Sequence, residues 1–288
     1  MNNVLDKIKN LRERTGSGFL DCKKALEENK NDIEDSIDFL RKKGLAKASK
    51  KSSREVKEGA VGIYSNNDYT SIIQINTETD FAAKNEVFLN FMDEIGSFTL
   101  MTKEENLSAL AFNDMIFEDV LISDHFKNLI SKIGENILLS KLIIVKNSNK
   151  QQISTYIHNA YRKNIGKIAV LMRAQVKEPN DDSKLLGKNL CMHIAASKPL
   201  AMNIDQLDKE LIEKEKKIQS ETIKASGKPE NIIEKILEGK MKKFYSESTF
   251  MHQQYILDPD KTVNEVLNDF SKINEFKVLD YHSLVLGA

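Results

Sequence analysis

The sequence predicts an α+β protein built from an N-terminal three-helix unit, two α+β core subdomains and a protruding antiparallel helical hairpin. Three observations predict it. Glycine and proline are scarce, twelve and four in 288 residues, so turns are few and elements long. The apolar spacing switches between helical and strand periods, with strands followed by helices twice over. Two charged helical segments flank Ser226-Gly227-Lys228-Pro229, where glycine ends one helix and proline begins the next.

Val4, Leu5, Ile8 and Leu11 recur at helical spacing. Thr15-Gly16-Ser17-Gly18 interrupts them, and Phe19, Cys22, Ala25 and Leu26 resume the period. Asn31 or Asp32 can cap a third helix with Ile33, Ile37 and Leu40 inward, ended by Gly44. Arg41 to Lys57 then carries eight basic residues and one acidic one, which reads as an exposed linker or solvated helix, a tether or a contact for an acidic partner. Val61 and Ile63, then Tyr69, Ile72, Ile73 and Ile75, follow a period nearer two and are divided by Asn66-Asn67-Asp68, the composition of a hairpin turn. Helical patterns follow through Val87 to Ile95 and Val120 to Ile133.

A second strand-rich segment runs through 142–145, 153–157 and 168–176, and a helix follows over 185–197. The charged helices span 205–224 and 230–244. Their expected seam is Ile204, Leu207, Leu211 and Ile218 against Ile232, Ile233, Ile236, Leu237, Met241 and Phe244. Asp258-Pro259 reads as a turn, 262–270 as a helix and 276–281 as a strand.

Forty-three basic residues balance forty-three acidic ones. That lack of a cationic excess argues against nucleic-acid binding. The longest apolar run, Ile168 to Met172, is far short of a bilayer span, and the charged start from Met1 to Gly16 is unlike a signal peptide. Two cysteines, Cys22 and Cys191, fit a reducing compartment, so a cytosolic protein is expected. No phosphate-cradling glycine loop, Gly-x-Ser-x-Gly elbow or metal-spaced His or Cys pair occurs. Cys191 and His193 would point about 200° apart on a helix, which suits a core better than a metal site. Cys22 lies beside Lys23 and Lys24, which favours a thiolate, yet also falls on the inward period of its helix. Among isolated histidines, His158 stands out because it follows a strand and precedes a polar loop, 159–164.

The most informative feature is Thr77-Glu78-Thr79-Asp80-Phe81-Ala82-Ala83-Lys84, where a strand ends and a helix should begin. Thr79 or Asp80 can accept from free backbone N–H groups there, and the acid suits the positive helix end. Phe81 then has two readings. It is a buried staple beneath a plain N-cap, or an exposed aromatic held on a rigid tip for another protein's pocket.

Leu11-Arg12-Glu13-Arg14-Thr15-Gly16-Ser17-Gly18-Phe19-Leu20-Asp21-Cys22-Lys23-Lys24-Ala25-Leu26 and Thr79-Asp80-Phe81 resemble signatures of the bacterial translation elongation factor Ts family. Ile133-Gly134-Glu135-Asn136-Ile137, Met192 to Pro199, and Met241-Lys242-Lys243-Phe244 with Tyr255 to Pro259 resemble further blocks in the same order.

The resemblance implies a ubiquitin-associated-like three-helix domain with its basic linker over 1–54 and a first core subdomain over 55–140. It places a second core subdomain at 141–200 with 245–288, and a coiled-coil hairpin at 201–244. It implies guanine-nucleotide exchange on elongation factor Tu, with no bond chemistry, no cofactor, no metal of its own, no membrane and no direct nucleic-acid contact. The alternative is a non-catalytic adaptor that binds partners through its three-helix domain. By position, Thr79, Asp80, Phe81 and Ala82 would dislodge the partner's Mg²⁺, while Arg12, Lys23, Ile133, Gly134, His158, Ile256 and Leu257 would bind the partner. Some family members form dimers of heterodimers through the hairpin region. Gln74, Thr77 and Ala82 depart from the family's usual residues, and the loop 159–167 is longer than usual. The chain ends at Ala288 where bacterial members commonly add a helix, so that contact is expected to be weakened or missing.

Overall fold

A computed structural model describes residues 4–15, 17–225 and 230–287. The expected turn residues Gly16 and Ser226 to Pro229, and the terminal Ala288, lie outside the described residues. Helices α1 (Val4–Thr15), α2 (Phe19–Glu28) and α3 (Ile33–Lys51) come first, then strands β1 (Glu58–Ser65) and β2 (Tyr69–Thr77). Next are α4 (Asp80–Ala83), α5 (Glu86–Met101), α6 (Ala109–Asn113), β3 (Ile116–Phe117), β4 (Val120–Leu121), α7 (Ile122–Ile133) and β5 (Ile137–Lys146). Strands β6 (Gln151–His158), β7 (Ile165–Gly166) and β8 (Ile168–Val176) lead to α8 (Asp181–Ser197), α9 (Lys209–Ala225) and α10 (Glu230–Ser248). The chain closes with β9 (Gln254–Tyr255), β10 (Asp258–Thr262), α11 (Val263–Ser271) and β11 (Phe276–Val285).

The chain forms two compact units. The first comprises the described residues of Met1–Asn147, Asn159–Ala169 and Leu284–Ala288. Its three N-terminal helices enclose Ile8, Leu11, Cys22, Ala25, Leu26 and Leu40, the positions that the helical period selects. Of the two proposed caps for α3, Asp32 acts, accepting from Asp35 N–H at 2.9 Å. Phe19, expected inward, is 43% exposed at the first turn of α2.

Gly44 does not end α3, which runs on to Lys51. A Cβ at Gly44 would sit 2.7 Å from Ser131 Oγ, so glycine marks the place where α3 crosses α7. The expected linker or solvated helix is thus helical to Lys51 with most of its described side chains exposed, but it is anchored: Ala48 belongs to the main core, and Lys51 Nζ donates to the carbonyl of Gly134.

The first sheet has the order β5-β2-β1-β7. β1 and β2 form the expected antiparallel hairpin, and Asn66 Oδ1 accepts from Asp68 and Tyr69 N–H in its turn. The expected division at 140 falls inside β5, which pairs with β2 from Ile137 opposite Thr77 to Lys146 opposite Tyr69. Local period identified the strand but not its partner, because β5 joins its sheet only after four intervening helices. Phe88, Phe91, Met92 and Ile95 of α5 pack beneath with Phe126, Leu129 and Ile130 of α7.

The second unit comprises Ser148–His158 and the described residues of Val170–Ser283. Its sheet has the order β11-β8-β6, with α8 packed on β6. Asp258-Pro259 opens β10 rather than forming a turn; Ile256 and Leu257 make the turn between β9 and β10. Residues 205–208 precede α9 rather than belonging to it. α9 and α10 pack on each other, and Lys240 Nζ donates to Gln219 Oε1 at 2.8 Å. Ile223 is the buried residue of α9, whereas Ile218, expected in the seam, is exposed.

Candidate functional site

The Thr79 to Lys84 segment resolves the two readings of Phe81 in favour of exposure. Its ring is 83% exposed. The backbone beneath it is held at every polar group of Thr79. That residue caps α4, its Oγ1 accepting from Ala82 N–H at 3.3 Å. The same hydroxyl donates to Glu135 Oε1 at 2.6 Å, and Thr79 N–H donates to Glu135 Oε2 at 2.9 Å. Thr77 Oγ1 donates to the Thr79 carbonyl at 2.7 Å. Ala82 and Ala83 are buried, so the short helix stands on the core while its aromatic residue points away.

Asp80 does not cap the helix. Its carboxylate accepts from Lys84 Nζ at 2.8 Å, one turn on, and this bond holds the carboxyl below its usual range. The residue presents an ionised acid beside the Phe81 ring.

Ile133 and Gly134 close α7, and their turn meets the Phe81 tip. Gly134 takes φ +90°, which only glycine adopts without strain, and its N–H bonds the Ile130 carbonyl at 2.8 Å. The turn places Glu135 against Thr79 and Asn136 against Glu78, whose Oε1 accepts from Asn136 N–H at 2.6 Å. Asn136 Nδ2 in turn donates to the carbonyls of Arg54, at 2.7 Å, and Ser52, at 3.3 Å. Thr79 to Ala82 and Ile133 to Gly134 are thus brought together. Glu78, Glu135 and Asn136 escaped the sequence reading as site residues, because nothing in local spacing links positions 56 apart.

Arg12 and Lys23 are exposed on the three-helix unit. Phe19, Leu20 and Lys23 lie on one face of α2 at spacings of three and four, and Leu20 is 77% exposed. Burial raises the pKa of Cys22 behind this face, outweighing the hydrogen bond from Thr15 and opposing a thiolate.

In the second unit His158 ends β6, exposed, its Nδ1 3.2 Å from the Tyr156 hydroxyl. Ile256 and Leu257 are both exposed at the β9–β10 turn. Cys191 is a core residue, as expected, and His193 is buried as well, although helical spacing points its side chain about 200° away. Cys191 Sγ contacts the Ser154 carbonyl at 3.4 Å, and burial raises its pKa. His193 Nε2 bonds Gln253 Oε1 at 3.0 Å, and burial lowers its pKa.

The loop 159–167 belongs to the first unit and is fastened to α5. Arg162 donates to Asp93 and Asn90, each at 2.7 Å, and to Glu86. Asn164 Nδ2 also donates to Asp93, at 2.9 Å.

Among the described residues no group of three or more His, Cys, Asp or Glu is arranged to hold a metal ion. Nor is any described helix long and apolar enough to cross a membrane.

The family pattern described as Elongation factor TS matches residues 78–288. Elongation factor Ts of Allorhizobium ampelinum is 37% identical over 265 residues, covering 92% of this chain and 85% of that protein. Elongation factor Ts of Rhizobium etli is 38% identical over 92% of this chain and 85% of its own length. The protein of that name from Bartonella henselae is 38% identical over 92% and 86%.

Proposed function

The chain belongs to the elongation factor Ts family, and from that membership we propose that it is a cytoplasmic guanine-nucleotide exchange factor for elongation factor Tu. The observation that carries the reading is the Phe81 ring, 83% exposed on a helix whose backbone is capped and braced. An apolar ring of this size held in water by rigid supports gains free energy only when something covers it.

In this reading Asp80 and Phe81 enter the partner beside its Mg²⁺ site. Displacing that ion removes the charge compensation of the GDP phosphates and weakens nucleotide binding. The α2 face bearing Phe19, Leu20 and Lys23, with Arg12, holds the partner's GTP-binding domain. Ile133, Gly134, His158, Ile256 and Leu257 add contacts, and α9 with α10 forms the family's hairpin. No bond is made or broken. Exchange requires only that the factor bind the empty GTPase better than the loaded one, and reciprocity makes returning nucleotide expel the factor.

The test is release of a fluorescent GDP analogue from elongation factor Tu. Catalytic amounts of this chain are expected to accelerate it, and no acceleration would remove the reading. The adaptor alternative draws on the exposed Phe19 and Leu20; it predicts binding that is indifferent to nucleotide.

A further inference from the structure

Two turns far apart in the chain trade carboxylates. Glu78, before the Phe81 tip, accepts from the backbone N–H of Asn136, while Glu135 accepts from the backbone N–H and hydroxyl of Thr79. The Thr79 hydroxyl has one proton, and an ionised carboxylate can only accept. Giving that proton to Glu135 leaves an oxygen lone pair for Ala82 N–H, which is the capping bond of α4. Glu135 therefore decides which way the cap points. Its own placement is rigid: it follows the left-handed Gly134 at the end of α7 and precedes buried Asn136.

We infer that Glu135 is the positioning residue of the Phe81 tip, its carboxylate holding α4 through Thr79 so that the ring is presented in one fixed pose. The inference rests on the exchange reading for its consequence, since a preorganised ring meets its pocket without first losing conformational freedom. Glu135 itself acts through Thr79 and needs no contact with the partner.

The experiment is a double-mutant cycle. Glu135→Ala is expected to slow GDP release at saturating factor about 10-fold, and to add nothing in a Phe81→Ala background, because the two changes disable one device. Glu135→Gln, which keeps the volume and one acceptor, is expected to fall between Glu135→Ala and the unaltered chain, and it reports on the brace should the alanine variant fold poorly. In the free chain, amide hydrogen exchange at Ala83 and Lys84, which bond the Thr79 and Asp80 carbonyls, is expected to quicken in both variants.

An unaltered release rate would overturn the inference, as would unchanged amide exchange. A tenfold loss persisting in the Phe81→Ala background would also overturn it, because Glu135 would then be touching the partner directly. If the unaltered chain fails to accelerate release, the exchange reading falls, and the amide measurement alone decides whether Glu135 holds the tip.

Discussion

The α4 tip and helix α8 invert the usual relation between chemical character and place. α8 carries a thiol and an imidazole two residues apart, and both are buried and hydrogen-bonded inside the second unit. α4 carries a hydrocarbon ring and sets it in water above two buried alanines. On α8 reactive residue types serve the fold, whereas on α4 an inert one is displayed. Backbone support here goes to displaying a side chain rather than to burying one.

The comparison breaks most readily at two phenylalanines seven residues apart. Phe81→Ala is expected to slow exchange about 30-fold or more, as loss of an interface anchor does, while leaving the melting temperature unchanged because the ring is already solvated. Phe88→Ala removes a fully buried ring and is expected to cost about 3–5 kcal/mol of stability. If thermal melting showed Phe81→Ala to be the destabilising change, display would be the wrong description of the tip.

A smaller effect sharpens the role of the turn that braces it. Gly134→Ala forces a side chain into a left-handed conformation and is expected to cost about 1–2 kcal/mol, with exchange slowed because Glu135 shifts. Chemical denaturation alongside the release assay reads both.

The mildest effect concerns the buried imidazole. Burial depresses the His193 pKa below its ordinary 6.5, so the unfolded chain takes up a proton there first. The stability contributed by a neutral His193 is full above about pH 6.5 and is lost as pH falls from there toward the depressed folded value. Urea midpoints at pH 7.5 and 5 are expected to drop less in His193→Gln than in the unaltered chain. His282 is also depressed by burial and contributes in the same direction, so part of the acid loss persists in the variant.

Much of this architecture was legible because its signals are local. Ile8, Leu11, Cys22, Ala25 and Leu26 sit on a helical period and are buried together, and Asn66-Asn67-Asp68 separates two strands that pair residue for residue. What escaped depends on a second segment. Gly44 reads as a helix end until Ser131 appears beside it, and β5 reads as the start of a new subdomain until β2 takes its hydrogen bonds. Ile218 and Ile223 look alike in a hydropathy pattern, yet only the second is buried.

The candidate site divides in the same way. Thr79 was legible as a cap from its residue type, whereas the fate of Phe81 was not, since a staple and a displayed ring share one sequence pattern. Glu135 was invisible as a support for lack of any periodic relation to Thr79.

The sheet order β5-β2-β1-β7 also governs the sequence of events as the nascent chain emerges. The buried apolar residues of the N-terminal helical cluster all lie within Ile8 to Leu40, so it can consolidate early. β1 must wait for Ile165 and Gly166 to cover its free edge. Until then a newly made chain exposes an unpaired strand rim, and long-range closure of that kind is slow and prone to mispairing. A factor that serves protein synthesis is thereby itself vulnerable during its own.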